Sequence, residues 1–294
     1  MLKIKKLISL NNTKNKYLVL DTETIHSGLL DNDNNVIPTR DIIEISWVVL
    51  DCDGVEISQS KKGFIVQEFW DNKSYLLSKN YEQTKKGIIE KQNFAINKIS
   101  HWQQALRDRV LQVKPWSYII KQLNKDLKNY DITLFSAYNI AFDRGAIYST
   151  SKLLKDKTYN KIWEIDFIDI MELVKVIVKD KNFKIWSENH NSITPKGNYK
   201  TSAEALYRYL TNNSNKLETV IPDSINWSET HLAIEDIICE ALIIQSALTY
   251  ARRKRDIKVN INCYGGWSSL NKIIKSQKPL KVKNKQLQLD IVNK

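Results

Sequence analysis

The sequence predicts an α/β fold in which five strands form a sheet flanked by helices. Three observations lead to this prediction: apolar runs of strand length, helical stripes with apolar residues three and four positions apart, and an Asp-Gly turn between two of the runs. The 294 residues are 42% hydrophobic, which is enough for a sizeable core in one large or two small domains.

The five predicted strands are short apolar runs bounded by polar or turn-forming residues. Asp51-Cys52-Asp53-Gly54 follows the second run, and because Asp-Gly suits a turn with positive φ, we expect the third run to pair back on the second. The first three strands are therefore predicted to be antiparallel neighbours. The strands cover residues 17–24, 42–50, 55–66, 132–135 and 162–168.

Helices are predicted to alternate with the later strands and to end the apolar part of the chain. Pro115 suits the start of a helix whose apolar stripe runs to Leu127. Residues 237–248 hold apolar side chains on one face of a last, long helix. Two further helices begin with capping-box pairs: Asp169 with Glu172, and Thr201 with Glu204.

Three segments are expected to lie outside the sheet. They are rich in Asn, Asp and Lys or have only patchy helical periodicity. They are a loop at residues 26–40, a loop at residues 181–200, and an insertion of helices and long loops at about residues 67–113.

The net charge of +12 is concentrated at the C-terminal end of the sequence. Residues 251–294 hold 12 Lys and Arg against two Asp, a charge of +10, which leaves residues 1–250 at +2. A nearly neutral body with a basic extension indicates a polyanionic partner, and the simpler alternative is a solvated tail that improves solubility.

A cytoplasmic protein is expected from the absence of membrane and secretion signals. No apolar run approaches the roughly 20 residues that a membrane span needs, and the first ten residues lack a signal-peptide pattern. The three cysteines are scattered and odd in number, as in proteins of a reducing compartment. The richness in Asn, Lys and Ile is typical of an AT-rich bacterial genome, or of a virus in the cytoplasm of its host.

The first predicted strand ends in two carboxylates, Asp21 and Glu23. Successive side chains of a strand alternate between its faces, so these two acids project to the same side. Two neighbouring acids at the end of an apolar run repel each other unless a cation lies between them. This stretch therefore predicts a cation site, and the rest of the chain supplies further acidic candidates.

Three motifs together resemble those of the DnaQ-like, DEDDh-type 3′–5′ exonucleases: Asp21-Thr22-Glu23, Asn139-x-x-x-Asp143 and His231-x-x-x-x-Asp236. They occur in the family's order, at a strand end, a strand-to-helix turn and the final helix. The resemblance implies a ribonuclease H-like fold, a five-stranded mixed sheet of order 3-2-1-4-5 flanked by α-helices, with helical insertions. It covers residues 17 to about 250, so we expect a catalytic domain at 1–250 and a basic C-terminal extension at 251–294.

The resemblance also implies a role for each motif residue. Asp21 would bridge two divalent cations, Mg²⁺ or Mn²⁺, and Glu23 would help to hold one of them while reaching the terminal 3′-OH. Asp236 would complete the shell of that cation, and Asp143 would serve the second. His231 would be the general base on the attacking water, since its ordinary pKa of about 6.5 suits proton abstraction at neutral pH.

The spacing of the third motif limits where its residues can lie. Positions five apart on a continuous helix are about 140° apart around its axis, so His231 is expected to precede the regular part of the helix that carries Asp236. Ser228 or Thr230 would cap that helix. Periodicity does not distinguish Asp236 from its neighbour Glu235, and the family spacing selects Asp236.

Substrate contacts implied by the resemblance involve Thr22, Thr24, Tyr138 and Asn139. The family usually has His-Asn in the second motif, where this chain has Tyr138-Asn139. A tyrosine can also contact a sugar or stack on a base, so this departure concerns substrate preference rather than the metal ligands.

The expected function is hydrolysis of nucleic acid from the 3′ end to nucleoside 5′-monophosphates by a two-metal mechanism. Single-stranded DNA is the favoured substrate, and a replication or repair protein is an additional candidate partner. RNA is the alternative substrate, as for an exoribonuclease or oligoribonuclease. An alternative of another class is a non-catalytic nucleic-acid-binding module on a nuclease fold.

Overall fold

The computed structural model describes residues 4–10, 12–26, 28–158, 162, 165–179, 181–212, 232–253 and 258–263. Its strands are β1 (Ile4–Ser9), β2 (Tyr17–Thr24), β3 (Leu29–Leu30), β4 (Val36–Ile37), β5 (Ile42–Leu50), β6 (Lys62–Val66), β7 (Asn80–Thr84), β8 (Gly87–Lys91), β9 (Gln112–Lys114), β10 (Leu134–Ala137), β11 (Asp166–Asp169) and β12 (Lys258–Cys263). Its helices are α1 (Gln67–Trp70), α2 (Lys73–Leu76), α3 (Phe94–Arg107), α4 (Trp116–Asn129), α5 (Ile140–Leu153), α6 (Ile170–Ile177), α7 (Lys181–Asn189), α8 (Ala203–Asn212) and α9 (Ala233–Arg253).

The main sheet is mixed and has six strands in the order β11-β10-β2-β5-β6-β9. β2, β5 and β6 are antiparallel neighbours, as predicted, and β10 and β11 extend the sheet in parallel with β2. The five predicted strands keep the relative order 3-2-1-4-5, but the complete order differs because β9 pairs in parallel with β6. The predicted count of five was therefore wrong, since β9 comes from the segment expected to lie outside the sheet.

The bounds of β2 and β5 agree with the sequence prediction, whereas β6 begins at residue 62 instead of 55. The Asp51 carboxylate accepts hydrogen bonds from the backbone N–H groups of Asp53 and Val55, and Gly54 has a φ of +78°. This turn is the predicted one, and Leu50 and Glu56 form an isolated bridge after it. The fourth and fifth strands lie at 134–137 and 166–169, later than the sequence predicted.

The insertion contains more regular structure than expected. Between α2 and α3 it forms the antiparallel hairpin β7-β8, whose two strands are joined by a tight turn between Thr84 and Gly87. Ile88 and Ile89 in this hairpin are exposed, so these two apolar residues lie on a strand and not in the core. The loop predicted at 26–40 also contains paired strands, β3 and β4.

The segment at 181–200 was predicted to be a loop, but α7 occupies its first half. Phe183 and Trp186 are buried, and the ring of Tyr209 on α8 contacts both at centroid distances of 5.1 and 5.6 Å. The helix is therefore stabilised by an aromatic cluster with α8 and not by a local sequence signal. Ser202 precedes α8 and caps it, since its hydroxyl accepts the Ala205 N–H, whereas the capping box predicted Thr201 in this role.

The predicted helices at 116–127 and 237–248 are present as α4 and α9. Asp169 accepts the Met171 N–H at 3.0 Å and caps α6, in agreement with the sequence. Ile237, Ile244 and Leu248 of α9 are buried against the sheet. β12, from the predicted basic extension, pairs antiparallel with β1, and residues 264–294 lie outside the described part of the chain.

Within the described residues, none of the helices combines the length and the apolar character that a membrane crossing requires.

Candidate metal centre

The candidate site lies where β2 leaves the core. Residues 17–20 are fully buried, whereas Asp21 and Glu23 are half-buried, so the strand carries its two acids out of the apolar interior. Across the β2–β5 pair, Asp21 lies opposite Ser46 and Glu23 opposite Glu44. The strand pairing then shifts register between Glu23 and Thr24, which ends the regular ladder beside the acids.

Asp21, Glu23 and Asp236 come together in space. One carboxylate oxygen from each lies within 4.8 Å of one from each of the others. Asp236 is in the first turn of α9, more than 200 residues from β2 in the chain. The structure therefore brings together three of the four predicted metal ligands in one group.

Asp143, the fourth predicted ligand, is not part of that trio but interacts electrostatically with Asp21 and Glu23. It is buried in the first turn of α5, and the Thr22 hydroxyl donates to its Oδ1 atom at 2.8 Å. Burial raises the pKa of Asp143 to about 7, against the effect of hydrogen bonds from Thr22. Thr22, predicted to contact substrate, thus uses its hydroxyl to position a carboxylate.

Mutual repulsion among the acids is visible in the pKa of Asp21. Burial is the largest cause of a pKa well above the usual range of an aspartate. Neighbouring carboxylates raise it further, and in decreasing order they are Asp143, Glu240, Asp236 and Glu23. Burial, followed by the charge of Glu23, also raises the pKa of Asp236 to about 8. A divalent cation would relieve this repulsion, because it favours the ionised carboxylates.

A cation from the protein itself reaches one side of the cluster. The Lys98 ammonium forms an ion pair with Glu23 Oε1, and the two side chains are only 1% and 14% exposed. Lys98 lies on α3, so the insertion contributes directly to the site. Burial still raises the pKa of Glu23, although Lys98 acts to lower it.

Glu44 connects the insertion to the helix that carries Asp236. Its Oε2 atom accepts the indole N–H of Trp102 on α3 at 2.7 Å, and its Oε1 atom accepts the backbone N–H of Ile234 at 3.0 Å. The second bond satisfies one of the free N–H groups at the start of α9. Burial and the charge of Glu23 raise the pKa of Glu44 to about 7, despite these donors.

Glu235, the sequence competitor of Asp236, has a different position. Its Oε2 atom accepts the backbone N–H of Leu232 at 3.1 Å, so the side chain folds back over the start of α9. The trio contains Asp236. The family spacing therefore selected the residue that lies with the other acids.

The second motif places backbone groups beside the cluster. Asn139 is in the left-handed region at φ 59° and its N–H donates to Asp169 Oδ1, while the N–H of Tyr138 donates to Glu240 Oε1 at 3.0 Å. Tyr138 and Val174 are among the residues that line a cavity of about 450 Å³. Burial raises the pKa of the Tyr138 hydroxyl to about 12.

Two predicted site residues remain, Thr24 and His231. Thr24 is half-buried at the end of β2, where its backbone pairs with that of Ile42. His231 and the suggested helix caps Ser228 and Thr230 lie outside the described residues. The described helix begins at Ala233, two residues after His231.

Four residues of the site were not predicted from the sequence: Glu44, Lys98, Trp102 and Glu240. Glu44 is a charged residue inside a continuous apolar strand, and Glu240 follows Asp236 by four positions on one helix face. Both patterns were visible in the sequence. Lys98 and Trp102 are also four residues apart, but only the packing of α3 against β2 and β5 brings them to the acids.

Carboxylate oxygens are the ligands that Mg²⁺ and Mn²⁺ prefer, so the donor set fits a divalent metal. The trio and Asp143 are the residues that could hold it.

The chain matches no protein-family model and no curated protein sequence.

Proposed function

We propose that the chain is a metal-dependent 3′–5′ exonuclease that releases nucleoside 5′-monophosphates from nucleic acid. The observation that carries this proposal is the convergence of Asp21, Glu23 and Asp236, with Asp143 beside Asp21, from three separate motifs. The motif order and the mixed sheet with its flanking helices support a ribonuclease H-like fold for this proposal.

Each acid has a proposed task at the reacting phosphate. Two divalent cations, when bound, would neutralise the phosphate charge and lower the pKa of the attacking water. Asp21 would be shared between the two positions. Glu23 and Asp236 would hold one cation with it, and Asp143, oriented by Thr22, would hold the other.

His231 is proposed as the general base, because it precedes α9 at the family spacing from Asp236. Tyr138 and Asn139 are proposed to contact the terminal nucleotides. The cavity beside Tyr138 has apolar walls from Val174, Val178 and Met171, which suit the face of a base.

The proposed substrate is single-stranded DNA, with RNA as the competing polymer and the cytoplasm as the location. The basic residues of 251–294 support a polyanionic partner, since each phosphate contact by Lys or Arg releases bound counterions. They do not favour one polymer, because DNA and RNA share the charged backbone.

The test is digestion of 5′-labelled single-stranded DNA, duplex DNA and short RNA in parallel, with Mg²⁺, with Mn²⁺ and with EDTA. Stepwise shortening from the 3′ end and release of nucleoside 5′-monophosphates are expected only with a metal. Asp21→Ala should abolish digestion, while Asp33→Ala, which removes an exposed acid from the loop between β3 and β4, should not change it.

Wild-type turnover by Asp21→Ala would contradict the proposal. Metal-dependent binding of nucleic acid without any digestion would favour the non-catalytic binding module instead. Faster digestion of RNA than of DNA would retain the chemistry and change the substrate.

A further inference from the structure

Glu240 is a buried carboxylate that the exonuclease motifs leave without a role. It is 1% exposed and lies on α9 one turn after Asp236. Its Oε1 atom accepts the Tyr138 N–H at 3.0 Å, and its Oε2 atom has no hydrogen-bond partner among the described residues. A buried carboxylate oxygen without a partner raises the free energy of the fold, so a ligand for this atom is expected.

The charges around Glu240 place it against the acidic cluster. Among the charged groups that raise the pKa of Glu240, Asp143 has the largest effect, followed by Asp236 and Asp169. Glu240 in turn raises the pKa of Asp21 more than Asp236 does. Geometry gives the same placement: the Tyr138 N–H that Glu240 accepts directly follows β10, and β10 pairs in parallel with β2, so Glu240 lies beside the end of β2 that carries Asp21. Glu240 is not part of the trio that Asp21 forms with Glu23 and Asp236.

The part of the acidic cluster around Glu23 and the part around Glu240 differ in the charged groups that act on them. Around Glu23, the Lys98 ammonium pairs with Glu23, and its charge also acts to lower the pKa of Asp236 and of Glu44. The main charges acting on Glu240 are all carboxylates. The main charges acting on Asp21 and Glu240 are thus all negative.

The helix spacing suits two cations. Asp236 and Glu240 are four positions apart, so they lie on one face about 6 Å apart along the axis. The ions of two-metal sites are about 3.5–4 Å apart, and ligands one helical turn apart can each serve one of them.

We propose that Glu240 is a ligand of the divalent cation that Asp21 and Asp143 hold. Its Oε2 atom is the ligating atom, and the Tyr138 N–H fixes the other oxygen. This inference rests on the proposed exonuclease centre and adds a fifth carboxylate to it. The rival interpretation is a neutral glutamic acid that only supports the Tyr138 backbone.

The test is the stoichiometry of Mn²⁺ binding to the full chain after removal of metal with EDTA and dialysis. Titration calorimetry and the electron paramagnetic resonance signal of free Mn²⁺ count the sites without any activity assay. The wild type is expected to bind two Mn²⁺. Glu240→Gln should retain one site and weaken the other by at least about tenfold, since even residues that merely support a metal ligand contribute about 10–100-fold.

Glu204→Gln is the matched control, because it removes the same charge from an exposed side chain on α8. Circular dichroism melts establish that each variant is folded. Should Glu240→Gln not fold, Glu240→Asp is measured, and its shorter side chain is expected to weaken the same site.

The outcomes separate the two proposals. Two wild-type-like sites in folded Glu240→Gln, or in Glu240→Asp where that variant is needed, would overturn the role of Glu240 and leave the exonuclease centre intact. A wild type that binds no Mn²⁺, or whose binding survives Asp21→Ala, would overturn the centre itself and with it the role of Glu240.

Discussion

Replacement of Lys98 by methionine removes the ammonium from the acidic cluster and keeps most of the side-chain volume. The Lys98–Glu23 pair is almost fully buried, with side chains 1% and 14% exposed. Removing one partner of a buried pair costs about 3–5 kcal/mol, because the other charge is left uncompensated. At about 2–4 °C per kcal/mol for a chain of this size, Tm of the metal-free protein is expected to fall by roughly 6–20 °C.

The measurement is a thermal melt followed by circular dichroism at pH 7.5, in EDTA and then with Mn²⁺. The metal should restore much of the lost Tm in Lys98→Met, because it supplies the missing positive charge and binds only the folded form. At 100 times its Kd a ligand stabilises by about 2.7 kcal/mol. Lys79→Met is the control, since the Lys79–Glu90 pair is exposed and its loss should change Tm little.

A melt of Lys98→Met within 2 °C of the wild type in EDTA would refute this reasoning, as it would mean that the buried pair contributes little. A large loss in EDTA that Mn²⁺ does not reduce would also count against it. In that case the Lys98 ammonium would stabilise the position of α3, and a bound cation would not replace its charge.

Two further predictions concern pH and catalysis. In the fold, the pKa values of Asp143, Glu44 and Asp236 are raised to about 7, 7 and 8, so the folded chain binds protons more tightly than the unfolded chain. These groups should therefore stabilise the metal-free protein most below about pH 4, and their contribution should be lost as pH rises from about 4 to about 8, so that melts in EDTA that show a constant or rising Tm over this range would contradict the prediction. His231→Ala should lower kcat about 10²–10⁴-fold, measured as release of mononucleotides from labelled single-stranded DNA, and an unchanged kcat would assign the base to another group.

The parts of the site that follow a local rule were predictable from the sequence. Alternation along a strand predicted that Asp21 and Glu23 share a side, and both belong to the acidic trio. Motif spacing selected Asp236 over Glu235, which caps α9 instead. Glu240 obeys an equally local rule, since it is four positions after Asp236, although it was not among the predicted site residues.

Other features depend on contacts between distant segments. α7 forms although its sequence resembles a loop, because Phe183 and Trp186 pack against Tyr209 of α8. The pairing of Lys98 with Glu23 spans 75 positions, and no pattern in either segment indicates the other. Likewise, β9 has only three residues and becomes a strand because the edge of β6 accepts its backbone.

The position of Glu44 has a consequence for how this chain could vary in length. One oxygen of Glu44 is bonded to Trp102 in the insertion and the other to the start of α9. A shortened chain without residues 67–113 would lose that indole donor together with the Lys98 ammonium, leaving Glu44 and Glu23 facing each other across two adjacent strands. Trimming the insertion would therefore require a neutral residue at position 44, so that insertion length and the identity of this residue are expected to change together in evolution or in redesign.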